Sequence, residues 1–250
     1  MLESRPVAAI GSIFLDFDGV LNDNSAVRPK WADLVGQFFE PRLGGTEARW
    51  GEANLAIIDG VLARETARFE RWEAGRDDFF EEVRQYRTDW LRSMCAAAGV
   101  DGPASDDECG ALADEAQRWI LPQVQKSFPG NEAVLKELAL RHRLFTASGW
   151  VSPELATCLS RWGSHHLFTR LYGPDLVSLP KLGPVFYTRI FEDAGIDPTT
   201  ALVVDDTPRC VIWAQEAGAQ AVLVSRDGVS PEGATTIRSL AELPELLKRL

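Results

Sequence analysis

Hydrophobic residues recur along the chain in two different patterns. In the first and last parts of the chain, short apolar runs alternate with amphipathic segments. From residue 25 to 128, apolar residues recur at the three- and four-residue spacing of helices. The apolar runs predict buried strands at residues 13–15, 143–146, 167–172, 201–204 and 221–224. Strands that alternate with helices predict an α/β fold, here a Rossmann-like parallel sheet core with an inserted all-helical domain.

The insert is too long and too periodic to be a loop. Within it, residues 105–108 (Ser-Asp-Asp-Glu) have the sequence of a capping box, which predicts the start of a fourth helix. Pro129 and Gly130 mark the return to the alternating pattern. We therefore expect a core domain of residues 1–24 and 129–250 and a helical domain of residues 25–128. The last predicted element of the core is an amphipathic helix over residues 240–250.

Charge, cysteine content and apolar runs limit which binding partners and which cellular compartment are expected. The formal net charge of -11 disfavours nucleic acid and anionic membrane surfaces, because both repel an acidic protein. The four cysteines lack the spacing of a disulfide framework or a zinc site, which predicts reduced thiols. No run of 18 apolar residues occurs, and the N-terminus lacks the apolar stretch of a signal peptide. We therefore expect a cytoplasmic protein that acts on a small molecule.

Two aspartates follow the first predicted strand. Asp16 and Asp18 are separated by one residue, and Gly19, which permits a sharp turn, comes next. If the strand continues that far, both carboxylates point the same way and repel each other unless a proton or a cation joins them. Ligands bind at this end of open parallel sheets, and Mg²⁺ takes carboxylate oxygens. For this stretch alone, a simple turn-capping role is the alternative.

Other polar groups are predicted at the same edge of the sheet. One later strand ends at Thr146, another ends at Asp205 and Asp206, and Lys181 lies on a loop that can reach them. Phosphoryl transfer needs these groups: carboxylates for a metal and for a nucleophile, a cation, and hydroxyl donors for the transferring group. Each residue alone has an ordinary structural explanation. Their joint occurrence in this order favours a phosphoryl-transfer site.

These residues resemble the four motifs of the haloacid dehalogenase superfamily, and the helical insert resembles the C1 cap of that family. The first motif, Asp-x-Asp-Gly from Asp16 to Gly19, is highly specific. The resemblance implies that Asp16 is the nucleophile, which becomes a phosphoaspartate. It also implies that Asp18 is the general acid that protonates the leaving oxygen and then the base that activates water.

The resemblance also implies how the phosphoryl group and a Mg²⁺ cofactor are bound. Thr146, Ala147 and Lys181 are implied to hold the phosphoryl group. Asp16, Asp206 and the main-chain carbonyl of Asp18 are implied to bind Mg²⁺, with Asp205 as a further contact that runs through water. The implied cap would close over the site and supply substrate specificity.

The sequence departs from the family pattern at two positions. Leu182 and Gly183 follow the motif lysine where the family often has proline, and Cys210 stands where the family usually has aspartate or asparagine. A thiol is a poor partner for Mg²⁺. Cys210 therefore puts the metal affinity in question, but not the class of reaction.

The resemblance leaves four functions open. The first is a Mg²⁺-dependent phosphatase that acts on a small phosphorylated metabolite. The second is a phosphomutase of the beta-phosphoglucomutase type, which shares every core residue. The third is a 2-haloacid dehalogenase, which Asp18 disfavours because a halide needs no proton on leaving and dehalogenases of the superfamily lack this acid. The fourth is a non-catalytic binding protein. The sequence predicts neither the natural substrate nor the oligomeric state.

Overall fold

The computed structural model describes residues 9–25, 27–72 and 79–249. The chain forms two compact units, of which one comprises Met1–Asp23 with Lys126–Leu250 and the other comprises Asn24–Gln125. The first unit contains the sheet, and we call it the core unit. The second unit is helical, and we call it the inserted unit.

Within residues 27–72 and 79–125, the inserted unit has four long helices. They are α1 (Val27–Leu43), α2 (Glu47–Phe69), α3 (Phe79–Ala98) and α4 (Asp106–Val124). The predicted capping box at the start of α4 is confirmed, because the Ser105 hydroxyl accepts a hydrogen bond from the Glu108 amide while the Glu108 carboxylate accepts one from the Ser105 amide. Two of the four amides left unpaired at a helix start are satisfied in this way, which stabilises α4.

Aromatic side chains fill the interior of the inserted unit. Trp50 and Trp90 are almost completely buried, and the ring of Phe39 packs against both of them at centroid distances of 5.1 and 5.9 Å. Each indole N–H has an acceptor, the carbonyl of Gly44 for Trp50 and the side-chain oxygen of Asn54 for Trp90. The large apolar area of these rings is therefore buried without an unsatisfied donor.

The core unit is built on a six-stranded parallel sheet with the strand order β3-β2-β1-β4-β5-β6. The strands are β1 (Ser12–Leu15), β2 (Arg143–Ala147), β3 (Phe168–Tyr172), β4 (Ala201–Asp205), β5 (Gln220–Val224) and β6 (Thr236–Ile237). Strands β1 and β4 lie in the middle and are completely buried, which explains why their sequences are almost continuously apolar.

Helices connect and surround these strands. They are α5 (Asn131–Ala139), α6 (Ser152–Arg161), α7 (Pro174–Val177), α8 (Pro184–Ala194), α9 (Pro208–Glu216) and α10 (Leu243–Leu247). The ring of Phe14 on β1 stacks on Phe145 of β2 at 4.7 Å and meets the edge of Phe191 of α8 at 5.0 Å. The α/β fold predicted from the sequence is confirmed.

Strand β1 ends at Leu15, as predicted, so Asp16 and Asp18 lie in the turn that follows. Three details differ from the sequence prediction. Strand β6 and helix α7 were not predicted, because two and four residues are too few to show a period. In place of one terminal helix, the structure has a 3-10 turn at Leu240–Glu242 followed by the short helix α10. Within the described parts of the chain, no helix combines the length and the apolar character needed to cross a membrane.

Candidate active site

The central strands bring two aspartates to one edge of the sheet. Leu15 is paired with Val204 across β1 and β4, and the Asp16 amide donates to the Val204 carbonyl over 2.9 Å. Asp16, one residue beyond β1, therefore lies level with Asp205, the last residue of β4. Both side chains are buried, and a pair of buried carboxylates requires a cation or a proton between them.

Lys181 supplies such a cation. Its ammonium lies 2.9 Å from Oδ1 of Asp16 and 2.7 Å from Oδ2 of Asp205. Burial by itself lowers the pKa of Lys181, but the charges of the two aspartates outweigh burial and hold this pKa well above its ordinary value. Lys181 is therefore a permanent positive charge between the two carboxylates. The sequence predicted that this loop lysine reaches the edge of the sheet, and the structure places it there.

The two carboxylates differ in their surroundings. Burial raises the pKa of Asp16 to about 7, Lys181 opposes that shift, and the charge of Asp205 adds to it. Asp205 is completely buried and accepts hydrogen bonds from the Thr207 amide at 2.9 Å and from the Tyr187 hydroxyl at 3.4 Å. Asp205 thus anchors the lysine, whereas the Asp16 carboxylate also accepts a main-chain hydrogen bond from Phe17.

A third aspartate completes a cluster of carboxylates. One oxygen from each of Asp16, Asp205 and Asp206 lies within 4.8 Å of the other two. Asp206 is the most exposed member, but its carboxylate is partly enclosed by its neighbours. This partial loss of solvent, followed by the charge of Asp205, raises the pKa of Asp206. The turn after β1 approaches Asp206 so closely that a Cβ on Gly19 would lie 1.8 Å from Oδ2 of Asp206, and Gly19 has a φ of +70°. Three converging carboxylate oxygens fit the preference of Mg²⁺ for hard oxygen ligands.

The side chain of Asp18 lies outside this cluster and has its own partners. Its Oδ1 accepts a hydrogen bond from the Asn22 amide and its Oδ2 accepts one from the Trp150 indole, both over 2.8 Å. The predicted metal contact of Asp18 runs through its main-chain carbonyl and stays a prediction. A main-chain hydrogen bond closes the turn from Asp16 to Asn22, because the main-chain amide of Asn22 donates to the Phe17 carbonyl over 2.7 Å.

The residues at the end of β2 are held within the sheet. The Thr146 hydroxyl is completely buried and donates to the Tyr172 carbonyl of β3 over 3.0 Å. Leu15 is paired with Thr146, so that Ala147 is the residue of β2 level with Asp16. The structure thus gives the Thr146 side chain a partner in the neighbouring strand. The phosphate-binding roles of Thr146 and Ala147 stay predictions.

Cys210, the second departure from the family pattern, lies near the start of α9. Its side chain is buried, and burial raises the pKa of its thiol to about 11. The Tyr187 hydroxyl interacts with this thiol and with Asp205. Tyr187 therefore contacts both Cys210 and one of the buried carboxylates. A neutral thiol is not a ligand for Mg²⁺ in this arrangement.

Three residues in contact with the site were not singled out in the sequence. Tyr187 lies on the apolar stripe of α8, where it is indistinguishable from a core residue. Trp150 and Asn22 lie in polar turns whose contacts with Asp18 depend on the fold. No periodicity or short motif of the sequence indicates these contacts.

Comparison with known proteins gives one family and one fold. A family model for haloacid dehalogenase-like hydrolases matches residues 10–218. The structure of a 2-haloacid dehalogenase from Pseudomonas syringae pv. Tomato is similar, with a TM-score of 0.67 and 22% identity, over 96% of this chain and 99% of that chain. A magnesium-bound HAD-hydrolase from Bacillus subtilis, YfnB, has a TM-score of 0.65 and 19% identity, over 96% and 99% of the two chains.

A HAD phosphatase from Thermococcus onnurineus is also similar, with a TM-score of 0.63 and 19% identity, over 95% of this chain and 98% of that chain. No curated protein sequence matches this chain. Identities this low establish the common fold alone. The similar structures include dehalogenases as well as a phosphatase, so the reaction has to be argued from the site.

Proposed function

Because the chain belongs to the haloacid dehalogenase-like hydrolase family, we propose that it is a phosphatase that hydrolyses a small phosphate monoester through a phosphoaspartate on Asp16. The observation that carries this proposal is the carboxylate of Asp18, which two N–H donors hold in place two residues beyond the nucleophile. An alkoxide is a poor leaving group and needs a proton, whereas a halide does not. An ordered acid at this position supports phosphate ester chemistry over dehalogenation.

In the proposed first step, a carboxylate oxygen of Asp16 attacks the phosphorus atom. The bond between phosphorus and the ester oxygen breaks, and the leaving oxygen takes its proton from the carboxyl group of Asp18. In the second step, Asp18 accepts a proton from water as the water oxygen attacks the same phosphorus atom. The bond to Asp16 then breaks, which releases inorganic phosphate and restores both aspartates.

Lys181 has two roles in this scheme. Its ammonium, 2.9 Å from Oδ1 of Asp16, holds the nucleophile in place. Its positive charge also favours the phosphoryl group, whose oxygens are negative, at this edge of the sheet. The anchoring contact with Asp205 keeps the ammonium from moving away with the phosphoryl group.

Asp16, Asp206 and the main-chain carbonyl of Asp18 would hold Mg²⁺, with Asp205 as a further contact through water, since the carboxylate oxygens of the cluster converge and are the ligand type that this ion prefers. The bound ion would supply positive charge that offsets the charge of the phosphoryl oxygens. A similar HAD-hydrolase was crystallised with magnesium, which supports the choice of this ion.

A 2-haloacid dehalogenase is the second candidate, because several of the similar structures are dehalogenases. In that reaction, Asp16 would displace a halide from carbon and Asp18 would have no proton to deliver in the first step. A phosphomutase is the third candidate, since it would use Asp16 and Asp18 as the phosphatase does. It differs in passing the phosphoryl group to a second sugar phosphate and not to water.

The deciding experiment measures three products with the same protein. Phosphate release from p-nitrophenyl phosphate and a panel of small phosphate esters is assayed with Mg²⁺ and with EDTA, and halide release is assayed with 2-chloropropionate. Mutase activity is assayed with a sugar phosphate and a bisphosphate activator. We expect Mg²⁺-dependent phosphate release that Asp16→Asn abolishes. Glu245→Gln, which alters an exposed carboxylate on α10, serves as the control and should retain full activity.

Halide release without phosphate release would overturn the proposal in favour of a dehalogenase. Phosphoryl transfer between sugar phosphates with little free phosphate would favour the mutase. A folded wild-type protein with none of the three activities would support a non-catalytic role.

A further inference from the structure

The carboxylate of Asp18 is held from two directions by groups outside the four family motifs. The Asn22 amide donates to Oδ1 and the Trp150 indole donates to Oδ2, each over 2.8 Å. A carboxylate oxygen has two lone pairs, so each oxygen keeps one for a proton in transit. Two N–H donors on different oxygens also fix the plane of the group, which one donor alone would leave free to rotate.

The orientation of the Asn22 amide is fixed by a second contact. Asn22 is completely buried, and its Oδ1 accepts a hydrogen bond from the Lys126 main-chain amide over 2.9 Å. Since the oxygen of this side chain already faces a donor, its NH₂ group must face Asp18. Asn22 is therefore a donor to Asp18 with no alternative arrangement of its amide.

The main chain of Trp150 is placed by two neighbours. Its amide donates to the buried hydroxyl of Ser148 over 3.1 Å, and Ser148 in turn donates its amide to the Tyr172 carbonyl at the end of β3. The Trp150 carbonyl approaches Gly173 so closely that a Cβ at position 173 would lie 2.0 Å from it. Only a glycine at position 173 permits this close approach. The approach fixes the position of the Trp150 main chain, from which the indole side chain extends.

The Trp150 ring is placed by packing. Its centroid lies 5.7 Å from that of Phe17, the completely buried residue between Asp16 and Asp18, and Trp162 stacks on the same Phe17 ring at 5.3 Å. The indole N–H can only donate. The turn that carries Asp18 and the indole that contacts it are therefore attached to the same aromatic stack.

We propose that Trp150 is a positioning residue that holds the carboxylate of Asp18 in the orientation from which it transfers a proton to the leaving group. The inference rests on the proposed phosphatase function. It adds to the proposed catalytic residues a positioning residue that belongs to none of the four motifs and acts only through Asp18. The contribution of such a residue to the reaction rate is largest for substrates whose leaving oxygen needs a proton.

A comparison of substrates with different leaving groups distinguishes a positioning role of Trp150 from a purely structural one. Nitrophenolate departs from p-nitrophenyl phosphate without a proton, whereas the alkoxide of an alkyl phosphate needs one. The first irreversible step, which kcat/KM reports, contains this proton transfer. Loss of the indole donor should therefore lower kcat/KM for an alkyl ester much more than for the nitrophenyl ester.

The test compares Trp150→Phe with Trp162→Phe. The first change removes the N–H donor and keeps an aromatic ring against Phe17. The second changes the other tryptophan on that ring, which makes no hydrogen bond to Asp18 within the described part of the chain. We expect Trp150→Phe to lower kcat/KM for glycerol phosphate about 10- to 100-fold, the value of one hydrogen bond to a charged group, and for p-nitrophenyl phosphate less than about threefold.

Trp162→Phe should leave the ratio of the two kcat/KM values unchanged. Asp18→Asn should show the same leaving-group pattern as Trp150→Phe, with a larger loss of about 10²- to 10⁴-fold for the alkyl ester. Equal losses on both esters in Trp150→Phe, or no loss on either, would overturn the role of Trp150 while the phosphatase function stands. A folded wild-type protein that hydrolyses neither ester would overturn the proposed function, and with it this proton transfer.

A spectroscopic measurement covers the case in which Trp150→Phe does not fold. The indole N–H resonance of Trp150 in a ¹H–¹⁵N spectrum reports its hydrogen bond, and Asp18→Asn should shift this resonance more than that of Trp162. A Trp150 resonance that Asp18→Asn leaves in place would show that the indole is not bound to this carboxylate, which overturns the inference.

Discussion

The ammonium of Lys181 lies 2.9 Å from Oδ1 of Asp16, and the same nitrogen lies 2.7 Å from Oδ2 of Asp205. All three side chains are nearly or completely buried. One positive charge therefore compensates two negative charges in a region with little water to screen them. Removing the ammonium leaves two buried carboxylates without compensation, and this cost is larger than the stabilisation that the intact group gives to the fold.

Lys181→Met should destabilise the protein and abolish phosphate release. Methionine has a similar length but no charge, so Asp16 and Asp205 lose their shared cation. We expect a loss of about 3–5 kcal/mol in the free energy of unfolding at about pH 8, measured by urea denaturation. At about pH 5 the loss should be smaller, because Asp16 then takes up a proton and the repulsion between the carboxylates is relieved.

Lys136→Met is the matched control for that change. Lys136 lies on α5 and pairs with Glu132 over 2.5 Å, but both side chains are more than half exposed. Exposed ion pairs contribute little to stability. A loss in Lys136→Met as large as that in Lys181→Met would contradict the importance of the buried pair.

Mg²⁺ should bind more weakly at about pH 6 than at about pH 8. Burial raises the pKa of Asp16 to about 7, so that at the lower pH a proton occupies this carboxylate and competes with the ion. The expected difference in apparent affinity is about tenfold, measured by isothermal titration calorimetry. Asp16→Asn should bind Mg²⁺ weakly and without this pH dependence. Equal affinities of the wild type at both pH values would contradict the raised pKa.

The same shift fixes the pH dependence of stability in the metal-free protein. The pKa of Asp16 is raised on folding, so its contribution to stability is present below the unfolded pKa near 3.8 and is lost as the pH rises through about 7. Asp16→Asn lacks this titration. Between about pH 4 and pH 8, the wild type should therefore lose stability relative to Asp16→Asn. A difference in the free energy of unfolding that stays constant over this range would contradict the raised pKa of Asp16.

Gly19→Ala should cost stability and also disrupt the carboxylate cluster. Gly19 has a φ of +70°, and its new Cβ would meet Oδ2 of Asp206 at 1.8 Å. Gly130→Ala is the matched control, because Gly130 has a φ of +85° but nothing within 4 Å of its Cβ position. Both variants should lose about 1–2 kcal/mol from the left-handed backbone, measured by urea denaturation. Only Gly19→Ala should lose Mg²⁺ affinity and activity, and equal activities in the two variants would contradict the role of this close approach.

The cysteines should resist thiol reagents while the protein is folded. All four are free and buried. Burial raises the pKa of Cys95 and of Cys210 to about 11 and that of Cys158 to about 12. At about pH 8 their thiolate fraction is on the order of 10⁻³ or less. Ellman's reagent should label the native protein slowly and all four thiols after unfolding, whereas rapid labelling of the native protein would contradict the burial.

The fold class, and the convergence of polar groups at one edge of the sheet, could be predicted from local patterns in the sequence. Apolar runs and helical spacing report burial residue by residue, so the strands before Asp16 and Asp205 were predicted to within a residue. Because parallel strands end at one edge, the convergence of those aspartates followed from topology. Lys181 was added because it lies on a loop that can reach the same edge. The capping box at Ser105 was equally local, since both of its hydrogen bonds join residues three apart.

The contacts that hold each of these groups depend on tertiary packing. The end of β1 at Leu15 places Asp16 and Asp18 in a turn, and Trp150 reaches Asp18 across 132 positions of sequence. Tyr187 was hidden in the apolar face of α8, although its hydroxyl faces Asp205. Such contacts depend on the packing of distant segments against one another, and no local pattern of polar and apolar residues encodes which atoms meet.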